Sequence, residues 1–124
     1  MCEKSLNIFY GIFYNLLLGP PGYRWSNASF VFSLKNKDNI KPFKSVIYRD
    51  FRDAIYTNYR TGPIFGKHDI YIASGAHKSR RSFANLGRVY KPPNGYDYGR
   101  LNTRRLLAGH SSFTVSEVEV FYLR

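Results

Sequence analysis

The C-terminal stretch Leu106-Leu107-Ala108-Gly109-His110-Ser111-Ser112-Phe113-Thr114-Val115-Ser116-Glu117-Val118-Glu119-Val120-Phe121-Tyr122-Leu123-Arg124 decides how the rest of the chain is read. From Phe113 it alternates. Phe113, Val115, Glu117, Glu119 and Phe121 fall on one side, and Thr114, Ser116, Val118, Val120 and Tyr122 on the other. A period of two in β-branched and aromatic residues predicts a strand. Val118, Val120 and Tyr122 suit a core, while Glu117 and Glu119 suit water or a basic neighbour. Two carboxylates on one face repel unless a cation lies opposite, and Arg104 or Arg105 is the expected partner. An internal ion pair is the leading reading of the two glutamates; an acidic contact for a partner is the other. An apolar terminal strand is expected to be tied into a sheet, because a loose one would template aggregation.

Working outward, a chain of 124 residues has the length of one domain with one core. Its 18% aromatic content, with 11 Tyr and 10 Phe, argues against disorder and favours a pleated, half-buried surface. Cys2 is the only cysteine, so no disulfide can form within the chain and an intracellular, cytoplasmic setting is expected. The Asn27-Ala28-Ser29 acceptor pattern carries no meaning in that setting. The net charge of +11 favours acidic partners, although Lys and Arg also keep a strand-rich chain soluble.

Residues 1–21 are set apart. Leu6 to Leu18 is mostly apolar but too short for a membrane-spanning helix, and Gly19-Pro20-Pro21 is a poor signal-cleavage site. The segment reads as a core strand or short helix, or as the remnant of a truncated or misassembled gene model. Gly19 to Tyr23 is a turn, and Trp25 is expected to be a core anchor or a lid on a sheet edge. Residues 29–34, SFVFSL, predict a strand with Phe30, Phe32 and Leu34 on one face and Ser29, Val31 and Ser33 on the other. Residues 43–60 are ambiguous: Phe43, Val46, Ile47, Phe51, Ala54 and Ile55 have helical spacing, yet 43–48 and 54–57 also read as two strands. Gly62 to Gly66 reads as a glycine-bracketed turn with Phe65 plugging the core, and 69–73 as a strand. Residues 76–105 carry eight cations, Lys78, Arg80, Arg81, Arg88, Lys91, Arg100, Arg104 and Arg105, against Asp97 alone.

Four stretches in order resemble the TLDc domain family, and together they cover most of the chain from about Gly22 onward. They are Trp25 followed by SFVFSL, with Ser29, Phe30 and Phe32; GPIFG with Gly62, Pro63, Phe65 and Gly66, then Asp69; SFANLGRVY, with Leu86, Gly87 and Tyr90; and LAGHSSFTVSEVEVF, with Leu107, Ala108, Gly109, Phe113, Glu117, Glu119, Val120 and Phe121. The chain departs from the family at Pro21-Gly22-Tyr23, where a paired glycine is usual, and at His110, where Ser is commoner. The resemblance implies a mainly β fold, a two-sheet antiparallel β-sandwich with small flanking helices, spanning residues 22–124. That tips 43–60 toward two strands. It also implies a non-catalytic module acting in oxidative-stress protection by binding the vacuolar proton pump, with no cofactor.

The residues offer little chemistry to set against this. GPIFG lacks the Lys and Ser/Thr offsets and the following helix of a phosphate loop. His68, His77 and His110 have no zinc spacing, and Ser111, His68 and Asp69 form a triad only on paper, without a nucleophile elbow. Cys2 has no base nearby in sequence. Two alternatives to the module remain: an enzyme whose site assembles from distant residues, and a nucleic-acid-binding domain. The second would use the basic, aromatic stretch 78–105, in which cations fix phosphates and exposed aromatics could stack on bases, although Phe83 and Tyr90 belong to the TLDc-like pattern and are expected to pack. Lys78, Arg80, Arg81, Arg88, Arg100, Arg104 and Arg105 are the candidate partner-binding residues under either binding reading, since the same charges could dock an acidic protein surface.

Overall fold

The computed structural model describes residues 8–10, 21–34, 38–58 and 60–115. Among them the period-two stretches form two antiparallel sheets. The first joins β1 (Ile8–Tyr10), β3 (Phe30–Ser33) and β4 (Phe43–Val46), with β3 in the middle. In the second, β2 (Gly22–Arg24) pairs with β5 (Ile55–Thr57) after the chain has passed through the first sheet, and from β5 onward it is a meander through β6 (Ile64–Phe65), β7 (Ile70–Tyr71), β8 (Ser82–Ala84) and β9 (Ser112–Phe113). One short helix, α1 (Leu101–Leu106), packs beside β8. The protein is mainly β, as the sequence led us to expect.

Register explains the core. Ile55, Phe65, Ile70 and Ala84 are successive cross-strand partners over β5 to β8, so all four side chains emerge on the same face. All are buried, and Val31 of β3 joins them from the other sheet in one cluster with Leu86, Val89 and Tyr90. The next row, Tyr23, Tyr56, Ile64, Tyr71 and Phe83, also runs straight across the sheet, on the opposite face. Its rings pair edge-on between Tyr23 and Tyr56 and stack between Tyr71 and Phe83, at centroid separations of 4.9 and 5.0 Å. Contacts of this kind are the unit of sheet stabilisation.

Several local expectations change. In 29–34 the alternation holds, but the small residues face the core: Ser29, Val31 and Ser33 are buried, whereas Phe30 and Phe32 are half-buried and Leu34 is exposed. Small side chains there leave room for the large rings of the facing sheet. The 43–60 ambiguity resolves into β4 and β5 around a 3-10 turn, Phe51–Asp53. Trp25 is 63% exposed, which excludes the core-anchor reading; it follows directly on β2, the end strand of its sheet among the described residues. Ile64 and Phe65 form a strand rather than a turn, with the turn displaced to 66–69, while Phe65 is fully buried as expected. The strand expected over 69–73 is confined to β7. At the C-terminus, Phe113 is buried, Thr114 is exposed and Val115 packs partly on the core, so the alternation holds to that point. The remainder of that strand lies outside the described residues, and with it the readings of Glu117, Glu119, Val120 and Phe121.

Candidate functional site

The polar centre of the fold is Asp69, a residue the sequence marks only as part of a motif. It is fully buried. Its Oδ2 accepts hydrogen bonds from four consecutive backbone amides, those of Gly87, Arg88, Val89 and Tyr90, at 3.2, 3.1, 3.0 and 3.0 Å. Its own carbonyl accepts from the Asn85 amide at 2.8 Å. Successive amides converging on one oxygen form an anion nest, and here the chain's own carboxylate fills it. Burial pushes the Asp69 carboxyl above its usual 3.8, against the opposing pull of the four amides.

Gly66 makes this arrangement possible. Its φ of +65° lies in the left-handed region, and a Cβ there would stand 2.3 Å from Asp69 Oδ1. Any larger residue would both strain the turn and drive into the carboxylate. Phe65 next to it packs edge-on against Tyr90 at 6.3 Å between centroids, and the Tyr90 hydroxyl donates to the Ala54 carbonyl at 2.8 Å. Burial first, and the nearby Asp69 charge second, push that hydroxyl well above its usual range. The GPIFG, Asp69 and SFANLGRVY stretches are thus one interlocked piece of interior.

The outer side of the same loop is polar and cationic. The segment 46–48 runs antiparallel to 89–91, with Lys91 N donating to Val46 O, Tyr48 N donating to Val89 O, and a bridge from Ile47 to Tyr90. That pairing brings Tyr48 and Arg49 onto Gly87. The Tyr48 hydroxyl donates to the Gly87 carbonyl at 2.5 Å, and Arg49 Nη2 donates to the same oxygen and to the Tyr48 hydroxyl. The Arg49 guanidinium lies 4.7 Å from the Tyr48 ring centroid, and that of Arg88 lies 5.5 Å from Tyr98. Gly87 itself has φ +122°, and a Cβ on it would meet Tyr98 at 2.9 Å, so Tyr98 closes the other side. Tyr48 and Tyr98 are 40% and 48% exposed. Sequence reasoning found Arg88 but missed Tyr48 and Arg49; no local pattern shows that residues so far apart in the chain will pair.

The seven candidate partner-binding cations are all exposed. They are dispersed over three elements. Lys78, Arg80 and Arg81 lie on the 74–81 loop before β8, Arg88 on the loop above Asp69, and Arg104 and Arg105 in the last turn of α1, where cations suit the helix dipole. Arg100, at the start of α1, pairs with Asp97 at 3.3 Å, both well exposed. Of the residues that carry the resemblance, Leu86, Tyr90 and Leu107 are buried, Ala108 lies against the core, and Gly109 follows α1 with its amide donating to Arg105 O. Ser29 is buried, and Lys44 sits 4.2 Å over the Phe30 ring.

The histidines stand apart. His68 is exposed, with its ring 5.4 Å from Tyr71 and 6.1 Å from Phe83. His77 lines an open cleft of about 400 Å³ together with Thr61, Ser74 and Val115. His110 is exposed. The paper triad is not assembled: Asp69 Oδ2 is held by the 87–90 amides, and its buried Oδ1 has no hydrogen-bond partner among the described residues. Among the described residues no cluster of His, Cys, Asp and Glu has the makings of a metal site, and no helix is long and apolar enough to cross a membrane. No family model, curated protein or solved structure matches the chain.

Proposed function

We propose that the chain is a TLDc-type interaction module that docks on an acidic protein surface and breaks no bonds. The observation that carries this reading is the division of labour around Asp69. The motif residues on GPIFG and SFANLGRVY are spent on one another in the interior, through a carboxylate and the four amides it holds. Arg88 is the one cation these stretches present outward, and further exposed cations surround it on neighbouring segments. Charge of this kind speeds encounter and selects partners more than it adds affinity. The partner suggested by the family resemblance is the peripheral sector of the vacuolar proton pump, with oxidative-stress protection as the setting. The test is capture of purified pump subunits by the immobilised chain over a salt series. Capture at low salt that declines as salt rises supports the reading. Absence of capture at low salt removes the pump as partner.

A second reading is a basic domain that binds single-stranded nucleic acid, favoured by the exposed Tyr48 and Tyr98 beside Arg49 and Arg88. Its signature is affinity for an oligonucleotide that falls steeply, by orders of magnitude, between low and moderate salt. Loss of all such affinity at low salt removes it.

A further inference from the structure

The geometry points to the two Arg–Tyr pairs around Gly87 as the docking point itself, a two-pronged clamp for the carboxylates of an acidic protein segment. This inference rests on the interaction-module reading and narrows it to four side chains.

The clamp is held on a rigid base. Four amides of 87–90 are bonded to buried Asp69, and the Gly87 carbonyl is bonded to Tyr48 and Arg49. Each guanidinium lies by a tyrosine ring, so each loses less freedom when a ligand arrives than a free arginine would. Arg49 uses one nitrogen on Gly87 and Tyr48, leaving Nε and Nη1 for a ligand. Arg88 keeps its guanidinium fork open beside Tyr98. The nearby acids do not fill the forks, since Asp50 and Asp53 are bridged by Lys67 at 3.1 and 3.5 Å. Asp97 is taken by Arg100. Lys91, on the strand pairing beside them, adds a further exposed cation.

The same arrangement chooses between carboxylates and bases. A nucleobase stacks on an open ring face. Here a guanidinium lies over a face of each tyrosine, and what it offers is a planar fork, which matches a carboxylate or a phosphate with two parallel hydrogen bonds; comparison with an oligothymidylate separates the two. The nest that could have held a phosphate is already filled by Asp69.

Fluorescence anisotropy of a labelled poly-glutamate peptide, with an oligothymidylate as the comparison, tests the clamp on the full chain at low salt. Arg49→Gln with Arg88→Gln is expected to weaken peptide binding by about tenfold or more, the scale of losing charged interface hydrogen bonds. Lys41→Gln with Arg60→Gln removes the same charge elsewhere and is expected to cost less than about threefold, as rim charges do. Arg88→Lys keeps the charge without the fork and is expected to weaken binding as much as Arg88→Gln alone, a substitution at an exposed side chain that spares the fold. Equal losses in the two double variants, or full binding by Arg88→Lys, would show that net charge rather than the clamp binds, overturning the site while leaving the module reading in place. Tight binding of oligothymidylate with none of the peptide would overturn both.

Discussion

Two loops of this protein that carry exposed cations are built in opposite ways. The 85–90 loop carries Arg88 on a base whose amides converge on a buried carboxylate and whose carbonyl at Gly87 is capped from 48 and 49. The 74–81 loop carries Lys78, Arg80 and Arg81 with local turn bonds, Lys78 N to Gly75 O and Arg81 N to Ser79 Oγ. It is tied down at Ala76, which is buried and whose carbonyl accepts from Val115 N, and its flanks are joined by Ala73 N donating to Ser82 Oγ, while the cations themselves have no such base among the described residues. A charge on the first loop has a fixed direction, whereas a charge on the second contributes mainly to the field.

The comparison can be broken most forcefully at its anchor. Asp69→Ala leaves four buried amides without their acceptor and is expected to cost about 3–5 kcal/mol, the scale of removing one partner from a buried charged network. Chemical denaturation checks this, and a loss below about 1 kcal/mol would mean that the loop holds itself. Asp69→Asn keeps an acceptor oxygen and is expected to lose less. It also separates charge from geometry. Because the Asp69 carboxyl is raised above 3.8, the folded state holds its proton more tightly than the unfolded state does. Its favourable contribution is therefore fully present below that value and is lost as pH rises through the folded pKa. Relative to Asp69→Asn, the unmodified protein is expected to lose stability over that acidic window when unfolding is followed as a function of pH.

Gly66→Ala attacks the same point from the backbone, combining a left-handed φ with a Cβ driven onto the carboxylate, and is expected to cost about 2–4 kcal/mol in the same assay. Tyr90→Phe keeps the ring in the core and removes only the hydroxyl bond to Ala54, for an expected loss of about 1–2 kcal/mol, measured as a lowered midpoint at unchanged slope. At the small end, Arg80→Gln with Arg81→Gln is expected to move stability by no more than about 0.5 kcal/mol, since exposed residues without fixed partners contribute little. A large loss there would put the second loop in the same class as the first.

The contrast also shows which parts of the fold were legible beforehand. Strand β3 and the burial of Phe65 follow from period and turn chemistry, which are local. The 43–60 segment was open on residues alone, because short apolar runs fit both periods; family resemblance tipped it the right way. The face of β3 that is buried could not be read, since it depends on the bulk of Tyr90 and Phe65 across the interior. Trp25 was misread as a possible anchor because size alone does not place a ring inside. Helix α1 has only six residues, too few to show a helical period, and Thr103 and Leu106 are its only buried positions. Asp69 gave one faint hint, the Gly66 three residues before it. Its amide partners lie 18 to 21 residues further on, beyond the reach of any local pattern. Tyr48 and Arg49 reach Gly87 across 39 and 38 residues, and for the same reason half of the proposed clamp could not be seen.

The claim on which the rest stands is that one buried carboxylate fixes the loop presenting Arg88. Amide hydrogen exchange of the native protein measures this directly. The account predicts that the amides of Gly87, Arg88, Val89 and Tyr90 exchange as slowly as those of the core strands β6 and β7, and that Asp69→Ala speeds all four together. Exchange of these amides at the rate of the 74–81 loop, or their indifference to Asp69→Ala, would contradict it.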